Sequence, residues 1–350
     1  MKYKVGIAGL GIGAKHWQQW KLLDDKFEVV MVCDPDETRR THRVEREGIA
    51  GTANFEELLN ANLDIIDIST PPHLHFEMAS RALTTGHHVV CEKPLVNSLA
   101  EVDQLMQLAN ESGRAFMPIS QYRFANGIQK LKYLADLRVL GKPYVASVET
   151  HWLRGKTYYK APWRGRWETE QGGVLLCHAL HLHDLLGFVL GDVEKVYAQV
   201  STRVNPIETE DCAIASMTMR NGALVSSNST LGSQQEISRL RFSFEHLLAE
   251  SNHEAYNPGQ EPWLLKASSS EKQHEFDQAL AEFTPRSASF EGQFEDLYSH
   301  LQTGSPLLVT LNDARRSLEL VTAMYASSRS GLSESLPITS SHPLYHDWRP

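Results

Sequence analysis

Residues 4–16, KVGIAGLGIGAKH, decide the fold of the amino-terminal part of the chain. Lys4 to Ala8 form a short run typical of a buried strand. Gly9, Gly11 and Gly13 follow at once, and an amphipathic stretch begins after them. A strand, a tight turn and a helix start in this order leave backbone N–H groups free to face a pyrophosphate. The pattern therefore predicts a βα unit whose turn binds a phosphate group.

Four more short apolar runs, separated by stretches with helical spacing, occupy the first 120 residues. They are 29–33, 64–69, 87–91 and 115–119. Gly86 and Gly113 stand where a helix C-terminus favours glycine. The alternation predicts βαβ units around a parallel sheet, that is, a Rossmann-type doubly wound domain. We place this domain at residues 1–121.

The pattern changes after about residue 122. A helix-like stretch, 127–137, leads into longer segments in which apolar and polar residues alternate: 144–152, 193–203, 212–218 and 223–231. Such segments predict an open, predominantly antiparallel sheet with one buried face, which helices near 173–190 and 311–328 could cover. The expected fold is therefore α/β, with residues 122–350 forming an α+β domain for substrate binding and oligomerisation.

Composition restricts the class of partner. The chain has 350 residues and a formal net charge of −9, which argues against nucleic acid or a membrane surface, because both need clustered Lys and Arg. Four widely spaced cysteines form no C-x-x-C pair, so neither a zinc knuckle nor a disulfide framework is indicated. The first residues lack the pattern of a signal peptide. We expect a cytoplasmic protein with a small-molecule partner.

The glycine pattern also indicates which cofactor binds. Gly9-x-Gly11-x-x-Ala14 matches the dinucleotide-binding form, and Asp34 stands at the end of the second run, where a carboxylate can accept hydrogen bonds from ribose hydroxyls. Asp34 would repel a 2′-phosphate, which favours NAD. NADP stays possible, because Arg39 and Arg40 follow closely enough to pair with a phosphate.

The stretch Cys91-Glu92-Lys93-Pro94, preceded by STPPHLH at 69–75 and followed by Tyr122-Arg123-Phe124, carries a specific resemblance. With the glycine turn, these motifs resemble the glucose-fructose oxidoreductase/inositol dehydrogenase (Gfo/Idh/MocA) family. The resemblance implies NAD(P)-dependent hydride transfer between nicotinamide and a carbinol or keto carbon of a sugar, a cyclitol or a sugar derivative. Pro72 stands where the family usually has Asn.

The resemblance and the Rossmann pattern together assign the cofactor residues. The expected set is Gly9, Gly11, Ile12, Gly13, Asp34, Thr70, Pro71, His75, Glu92 and Lys93. An ammonium group at Lys93 can hydrogen-bond the substrate hydroxyl and stabilise alkoxide character, so Lys93 is also the first candidate catalytic residue. Glu92 is expected to orient it or to bind the amide of the cofactor.

The stretch 172–184, GGVLLCHALHLHD, resembles the family's histidine helix. The match places His181 at the substrate as a general base, since histidine titrates near working pH. Cys177 stands where the family often has Asp, and His178 is a further candidate for catalysis or substrate contact. His178, His181 and Asp184 of this cluster could also serve as metal ligands. The resemblance does not support a metal site, and we expect none.

Substrate contacts are expected from this helix and from three earlier segments of the chain. The candidate set is Lys93, Tyr122, Arg123, Trp163, Arg164, Cys177, His178 and His181. Aromatic faces stack on sugar C–H surfaces, and Arg side chains fork onto hydroxyl or carboxylate groups.

Three other functions share this fold: an NAD-retaining glycosidase or lyase acting through transient oxidation, a non-catalytic sugar or NAD sensor, and an inactive sugar-binding scaffold. The presence of Lys93 and His181 favours chemistry, because a sensor needs neither residue. The resemblance also implies a homodimer or homotetramer that assembles through the open face of the second sheet.

Overall fold

A computed structural model describes residues 2–350 and divides the chain into two compact units. The first unit runs to Ile119 and includes Phe290–Arg315. The second comprises Ser120–Ser289 and Arg316–Pro350. The chain thus returns to the first unit after most of the second is complete. Among residues 2–350, none of the helices combines the length and the apolar character needed to cross a bilayer.

The first unit contains the predicted parallel sheet. Its strands are β1 (Tyr3–Ala8), β2 (Phe27–Cys33), β3 (Ala50–Thr52), β4 (Ile65–Ile68), β5 (His88–Cys91) and β6 (Phe116–Pro118). They lie in the order β3-β2-β1-β4-β5-β6, and every neighbouring pair is parallel. This order is the doubly wound arrangement, which places ligands at the carboxyl ends of the strands. The Rossmann prediction is confirmed.

Helices cover this sheet between its strands. They are α1 (Gly13–Leu22), α2 (Glu37–Glu47), α3 (Phe55–Leu59), α4 (His75–Thr84) and α5 (Leu99–Ser112). α5 begins where the side chain of Ser98 accepts the backbone N–H of Glu101, and it ends at Gly113, whose φ of 63° is left-handed. The first feature is a local signal for the start of a helix, and the second is a local signal for its end.

The second unit is built on an eight-stranded sheet. Its strands are β7 (Pro143–Leu153), β8 (Val193–Ser201), β9 (Cys212–Met219), β10 (Leu224–Thr230), β11 (Gly232–Phe244), β12 (Leu247–Glu250), β13 (Leu264–Ala267) and β14 (Glu334–Ser335), in the order β13-β12-β11-β7-β10-β9-β8-β14. The sheet is predominantly antiparallel, as predicted. One pair departs from this pattern, because β7 and β10 run parallel with Leu224 opposite Val145. A long connection separates these two strands, so no hairpin imposes the antiparallel direction.

The helices that follow residue 120 are α6 (Asn126–Asp136), α7 (Leu180–Leu190), α8 (Ser270–Ala281), α9 (Ser289–Thr303) and α10 (Leu311–Ser330). The helix expected over 173–190 is not uniform, because residues Leu175–Ala179 form a π-helical turn before α7 begins. Periodicity alone could not reveal this turn, since both helix types bury the same apolar residues. α7 packs on β7 and β11.

Aromatic residues form the centre of the first unit's core. The rings of Trp20 and Phe294 stack with centroids 3.7 Å apart and planes 2° apart, and Phe27 meets Trp20 edge-on at 4.7 Å. Phe294 lies on α9, so this late helix completes the core that α1 and β2 begin.

Candidate functional site

The glycine-rich turn joins β1 to α1 at the carboxyl end of the parallel sheet. Gly9 has a φ of +92°, and a Cβ there would lie 2.5 Å from the carbonyl oxygen of Ser69. Beyond its own chain neighbours, no atom of residues 2–350 comes within 4 Å of a Cβ built on Gly11. A Cβ on Gly13 would lie 3.1 Å from Ile7 and from Ser69. The three glycines therefore serve, in order, the tight turn, an open approach for a ligand, and close packing of α1 on the sheet.

The start of α1 fits an anionic ligand. Ile12 occupies the N-cap position, no side chain of residues 2–350 caps the helix, and its first turn contains no acidic residue. The first N–H groups of a helix lack intrahelical partners and carry the positive end of its dipole. A pyrophosphate beside Gly11 would meet both of these features.

Asp34 ties the end of β2 to the glycine turn. Its Oδ2 accepts the backbone N–H of Leu10 at 2.6 Å, and its Oδ1 accepts that of Asp36 at 2.8 Å. Nη1 of Arg39 lies 3.9 Å from Oδ2, and Nη1 of Arg40 donates to the Asp34 carbonyl at 2.7 Å. The carboxylate is therefore already engaged by the backbone, and two guanidinium groups stand close to it.

Lys93 lies in the loop that leaves β5 at the same edge of the sheet. Lys93 is half-buried, and its peptide bond to Pro94 is cis. The buried carboxylate of Glu92 accepts the backbone N–H of Lys93 at 2.8 Å through Oε2. Its other oxygen, Oε1, lies 3.1 Å from Nε2 of His16 on α1. The loop that presents Lys93 is thus connected to the helix that follows the glycine turn.

His16 is completely buried and faces two carboxylates. Its Nδ1 lies 3.0 and 2.9 Å from the two oxygens of Asp67 on β4. Burial by itself lowers the pKa of His16, but the charges and hydrogen bonds of Asp67 and Glu92 raise it to about 10. Burial by itself raises the pKa of Glu92, and the hydrogen bond and charge of His16 together with Lys93 lower it to about 2. The three groups thus form a charged, buried chain.

The ring of His75 fills the space between two loops. Nδ1 lies 2.9 Å from the carbonyl oxygen of Pro94 and 3.2 Å from that of Leu95, while Nε2 lies 2.8 Å from the carbonyl oxygen of Thr70. Pro71 follows Thr70 and precedes the 3₁₀ turn Pro72–Leu74. Burial lowers the pKa of His75. His75 therefore links the Lys93 loop to the loop after β4.

In the second unit, the π-helical turn carries two of the predicted substrate residues. Cys177 and His178 are both buried, and Sγ of Cys177 lies 3.5 Å from the carbonyl oxygen of Gly172. The imidazole of His178 meets Trp152 edge-on at 5.1 Å between centroids and Tyr158 at 5.7 Å. π-helical turns occur frequently at functional sites, because the extra residue redirects the side chains.

His181 and Asp184, one turn apart on α7, meet consecutive residues of the 3₁₀ segment Gln121–Phe124. The ring of Tyr122 stacks on that of His181 with centroids 4.5 Å apart. Arg123 donates from Nε and Nη2 to the two oxygens of Asp184 at 2.8 and 2.6 Å, and both side chains are buried. The guanidinium of Arg123, predicted to contact substrate, is thus part of a buried ion pair that fixes α7.

Trp163 and Arg164 belong to a cluster of rings and charges. Cζ of Arg164 lies 3.9 Å from the ring centroid of Tyr158 and 4.1 Å from that of Trp163. Nη1 of Arg164 donates to Oε1 of the buried Glu170 at 2.7 Å, and Glu170 also accepts the N–H of Gly165 at 2.5 Å. Burial raises the pKa of Glu170. Since Tyr158 also contacts His178, the cluster lies against one of the two candidate histidines.

Glu210 supports the histidine helix, a role for which the sequence offers no signal. Its carboxylate accepts the backbone N–H groups of Gly173 at 3.0 Å and Leu175 at 3.1 Å, and the hydroxyl of Tyr325 at 2.9 Å. A Cβ on Gly173 would lie 1.7 Å from the Glu210 carbonyl oxygen, so only glycine fits there. Burial raises the pKa of Glu210 to about 7.

Two other supporting residues do leave a trace in the sequence. Asp67 interrupts the apolar run of β4, and a carboxylate inside a buried strand requires a partner. His16 follows the glycine turn directly along α1. Among residues 2–350, no three His, Cys, Asp or Glu side chains are grouped in a way that could hold a metal ion.

Known proteins resemble the whole chain. Residues 3–120 match the family described as Oxidoreductase family, NAD-binding Rossmann fold (GFO_IDH_MocA), and residues 128–246 match the GFO/IDH/MocA C-terminal domain. The WlbA dehydrogenase of Bordetella pertussis, solved in complex with NADH and UDP-GlcNAcA, superposes with a TM-score of 0.87 at 25% identity, over 97% of this chain and 100% of that one.

Two curated relatives match parts of the chain. Myo-inositol 2-dehydrogenase of Thermotoga maritima is 27% identical over 229 residues, which cover 63% of this chain and 66% of that protein. The putative UDP-kanosamine synthase oxidoreductase subunit of Amycolatopsis mediterranei is 31% identical over 196 residues, which cover 55% and 52%. The matched region therefore spans between half and two thirds of these relatives' lengths.

Proposed function

The chain belongs to the GFO/IDH/MocA oxidoreductase family, and we propose that it is an NAD-dependent dehydrogenase or reductase that acts on a CH–OH or keto carbon of a sugar derivative. The observation that carries this proposal is the carboxyl edge of the parallel sheet. There the open glycine turn after β1 and the Lys93 loop after β5 lie at the same edge, joined through His16 and Glu92. A phosphate-binding turn and a positioned ammonium are the two groups that such an oxidoreductase needs.

The residues have distinct roles in the proposed reaction. Bound NAD supplies the nicotinamide ring that exchanges hydride with the substrate carbon. Gly9 and Gly11 with the start of α1 would hold the pyrophosphate, and Asp34 would accept hydrogen bonds from the ribose hydroxyls. Lys93 hydrogen-bonds the reacting oxygen and stabilises negative charge that develops on it. His181 takes or returns the hydroxyl proton, and His178 contacts the substrate.

We further propose that the substrate is a nucleotide-activated sugar. Support comes from the full-length similarity to a dehydrogenase whose structure contains UDP-GlcNAcA, and from the UDP-kanosamine relative. The rings of Tyr158 and Trp163, with the Arg164 guanidinium packed against them, offer planar surfaces suited to a sugar or a base. Other sugars and cyclitols are also to be tested as substrates, since the chain is also similar to myo-inositol 2-dehydrogenase.

A substrate screen tests this function. The protein is incubated with NAD or NADP and with UDP-hexoses, UDP-hexuronates, free aldoses and ketoses, inositols and anhydro sugars, while nicotinamide absorbance is followed. We expect NADH formation with at least one UDP-sugar. Product formation without net NADH would instead favour the NAD-retaining glycosidase or lyase. Ligand binding without turnover of any substrate would favour a sensor or an inactive scaffold.

The preference for NAD over NADP is proposed from Asp34. Its buried carboxylate would repel a 2′-phosphate. Arg39 and Arg40 stand close enough to offset this repulsion, so a direct comparison of the two dissociation constants decides the preference. Clearly tighter NADP binding would remove Asp34 from its assigned role.

We also propose a homodimer or homotetramer that forms through the outer face of the second sheet. Strand alternation turns Ile214, Leu224, Val145 and Tyr197 outward, and each is at least 40% exposed. Apolar side chains of this size on a sheet favour burial against a second surface.

The four cysteines are free thiols, which supports a reducing compartment such as the cytoplasm.

A further inference from the structure

His16 is the point at which three elements of the first unit meet. It lies on α1, one turn after the glycine-rich turn, and it is fully buried. One ring nitrogen faces Asp67 on β4, and the other faces Glu92 at the end of β5. His16 thus connects the phosphate-binding helix, through Glu92, with the loop that carries Lys93.

The surroundings of the ring require it to carry charge. Asp67 also accepts Nε1–H of Trp20 at 2.7 Å and the hydroxyl of Ser69 at 3.1 Å. The remaining faces of the ring meet Phe290 and Phe294, at 4.6 and 5.6 Å between centroids. A neutral imidazole donates from one nitrogen only, whereas both nitrogens here face carboxylates. Two buried carboxylates without a cation between them would be strongly destabilised.

Glu92 connects the His16 ring to the backbone of Lys93. One carboxylate oxygen is held by His16, and the other accepts the Lys93 N–H. On the opposite side, His75 binds the carbonyl oxygen of Pro94. Lys93 therefore stands between two anchored neighbours, and the His16 anchor leads directly to α1, the helix that follows the glycine turn.

We propose that His16 is a positioning residue: as an imidazolium between Asp67 and Glu92, it fixes the backbone of Lys93 relative to the glycine-rich turn. This inference rests on the proposed function, because it assigns Lys93 to the reacting oxygen. Because its side chain is completely buried, His16 is assigned no direct contact with the substrate. It acts through the orientation of Glu92 and of the Lys93 amide.

Replacing His16 with Gln keeps a polar side chain but removes the cation. Glu92 then lies buried with an uncompensated charge, and burial raises the pKa of such a carboxyl group. A protonated Glu92 accepts the Lys93 N–H more weakly, so the loop loosens. A displacement of about 1 Å at a reacting group can cost about 10²-fold in rate.

The first experiment needs no activity. Hydrogen–deuterium exchange is measured on the intact protein for peptides that cover residues 91–97, in wild type, His16→Gln and His87→Gln. His87 is a matched control, because it is a buried histidine of the same unit at the amino end of β5, opposite the Lys93 loop. We expect faster exchange over 91–97 in His16→Gln only. Equal exchange in all three proteins overturns the proposal.

The second experiment uses a substrate found in the screen. We expect kcat of His16→Gln to fall about 10- to 100-fold, while KM and the dissociation constant of NAD change less than about threefold. The variant should gain a new acid limb in its pH profile as Glu92 titrates. Glu92→Gln added to His16→Gln should remove this limb and, at pH values on its acid side, where Glu92 is already protonated in the single variant, lower kcat no further.

These outcomes separate the two proposals. If wild type turns over no substrate, the proposed function is contradicted. The hydrogen–deuterium exchange experiment then tests the role of His16 by itself. Additive losses in the double variant, or a kcat for His16→Gln within twofold of wild type, overturn the positioning role. Nitrogen-15 NMR of the histidine rings gives a further check: a neutral His16 ring at pH 8 contradicts the imidazolium.

Discussion

The ring of Tyr122 stacks on the imidazole of His181, with centroids 4.5 Å apart and planes 23° apart. Tyr122 lies in the 3₁₀ segment Gln121–Phe124, and Arg123, the next residue, fixes α7 through Asp184. The stack therefore sets the plane of the candidate base, and the ion pair sets the position of the helix that carries it.

Removal of the Tyr122 ring should release the imidazole. We expect Tyr122→Ala to lower kcat about 10- to 100-fold, since a poorly oriented base transfers a proton less efficiently. Tyr122→Phe keeps the stacked face and serves as the control, with activity close to wild type. Steady-state kinetics on the substrate from the screen measures both variants. Equal losses in the two variants would assign the effect to the hydroxyl group instead.

Lys93 and His181 are predicted to handle the proton and the charge on the reacting oxygen. Lys93→Met and His181→Ala should each lower turnover by about 10² to 10⁴, which is the usual contribution of a positioned acid or base. The dissociation constant of NAD should change little, because the nine other residues of the cofactor set, with the glycine turn and the start of α1 at the pyrophosphate, stay in place. Titration of intrinsic fluorescence with NAD provides this control. Full turnover in either variant would exclude the residue from the chemistry.

Cys177 is predicted to play no acid–base part, although the family often has Asp there. A thiol is a much weaker acid than a carboxyl group, and Cys177 is buried against the carbonyl oxygen of Gly172. Cys177→Ala should therefore keep turnover within a few-fold of wild type. Cys177→Asp tests whether the family residue can act here, with substrate range as the readout. A collapse of turnover in Cys177→Ala together with its persistence in His181→Ala would indicate thiol chemistry.

Assembly through the second sheet can be tested at one residue. Ile214 is 57% exposed on the outward face of β9, so Ile214→Asp should place a charge in the proposed interface and yield a monomer in sedimentation velocity at micromolar concentration. Leu332, equally apolar and 69% exposed outside the central strands, provides the control variant Leu332→Asp. A wild-type protein that sediments only as a monomer would contradict the proposal.

The charged chain around His16 predicts an unusual pH dependence of stability. The pKa of His16 is raised from 6.5 to about 10, so its contribution is complete below pH 6.5 and is lost as the pH rises towards 10. The pKa of Glu92 is lowered from 4.5 to about 2, so its contribution is complete above pH 4.5. The difference in unfolding free energy between wild type and His16→Gln should therefore be largest between pH 4.5 and 6.5 and shrink towards pH 10.

His87→Gln should behave in the opposite way. Burial lowers the pKa of His87, so its contribution is complete above pH 6.5 and is lost as the pH falls. Urea unfolding of the three proteins at a series of pH values measures both trends. A difference between wild type and His16→Gln that grows as the pH rises through 6.5, as expected for His87→Gln, would show that the His16 ring is neutral in the folded protein.

Local sequence patterns determined the parts of this protein that depend on neighbouring residues. The apolar runs predicted the strands of the parallel sheet, and the glycine spacing predicted the turn between β1 and α1. Strand direction then followed, because helical crossovers force parallel pairing and bring the ends of β1 and β5 to one edge. For this reason the Gly9–Gly13 turn and Lys93 could be assigned to one region from the sequence alone.

Tertiary structure decided which charged groups meet. His16 contacts Asp67 and Glu92, which lie 51 and 76 residues away in the sequence. Arg123 contacts Asp184, which lies 61 residues away. The parallel pairing of β7 with β10, the π-helical turn at Cys177 and the return of residues 290–315 to the first unit likewise leave no periodic trace. A local pattern predicts the element and the burial of a residue, but not the distant partner that the residue contacts. The cost of burying a charge is set by the partner that the complete fold brings to it.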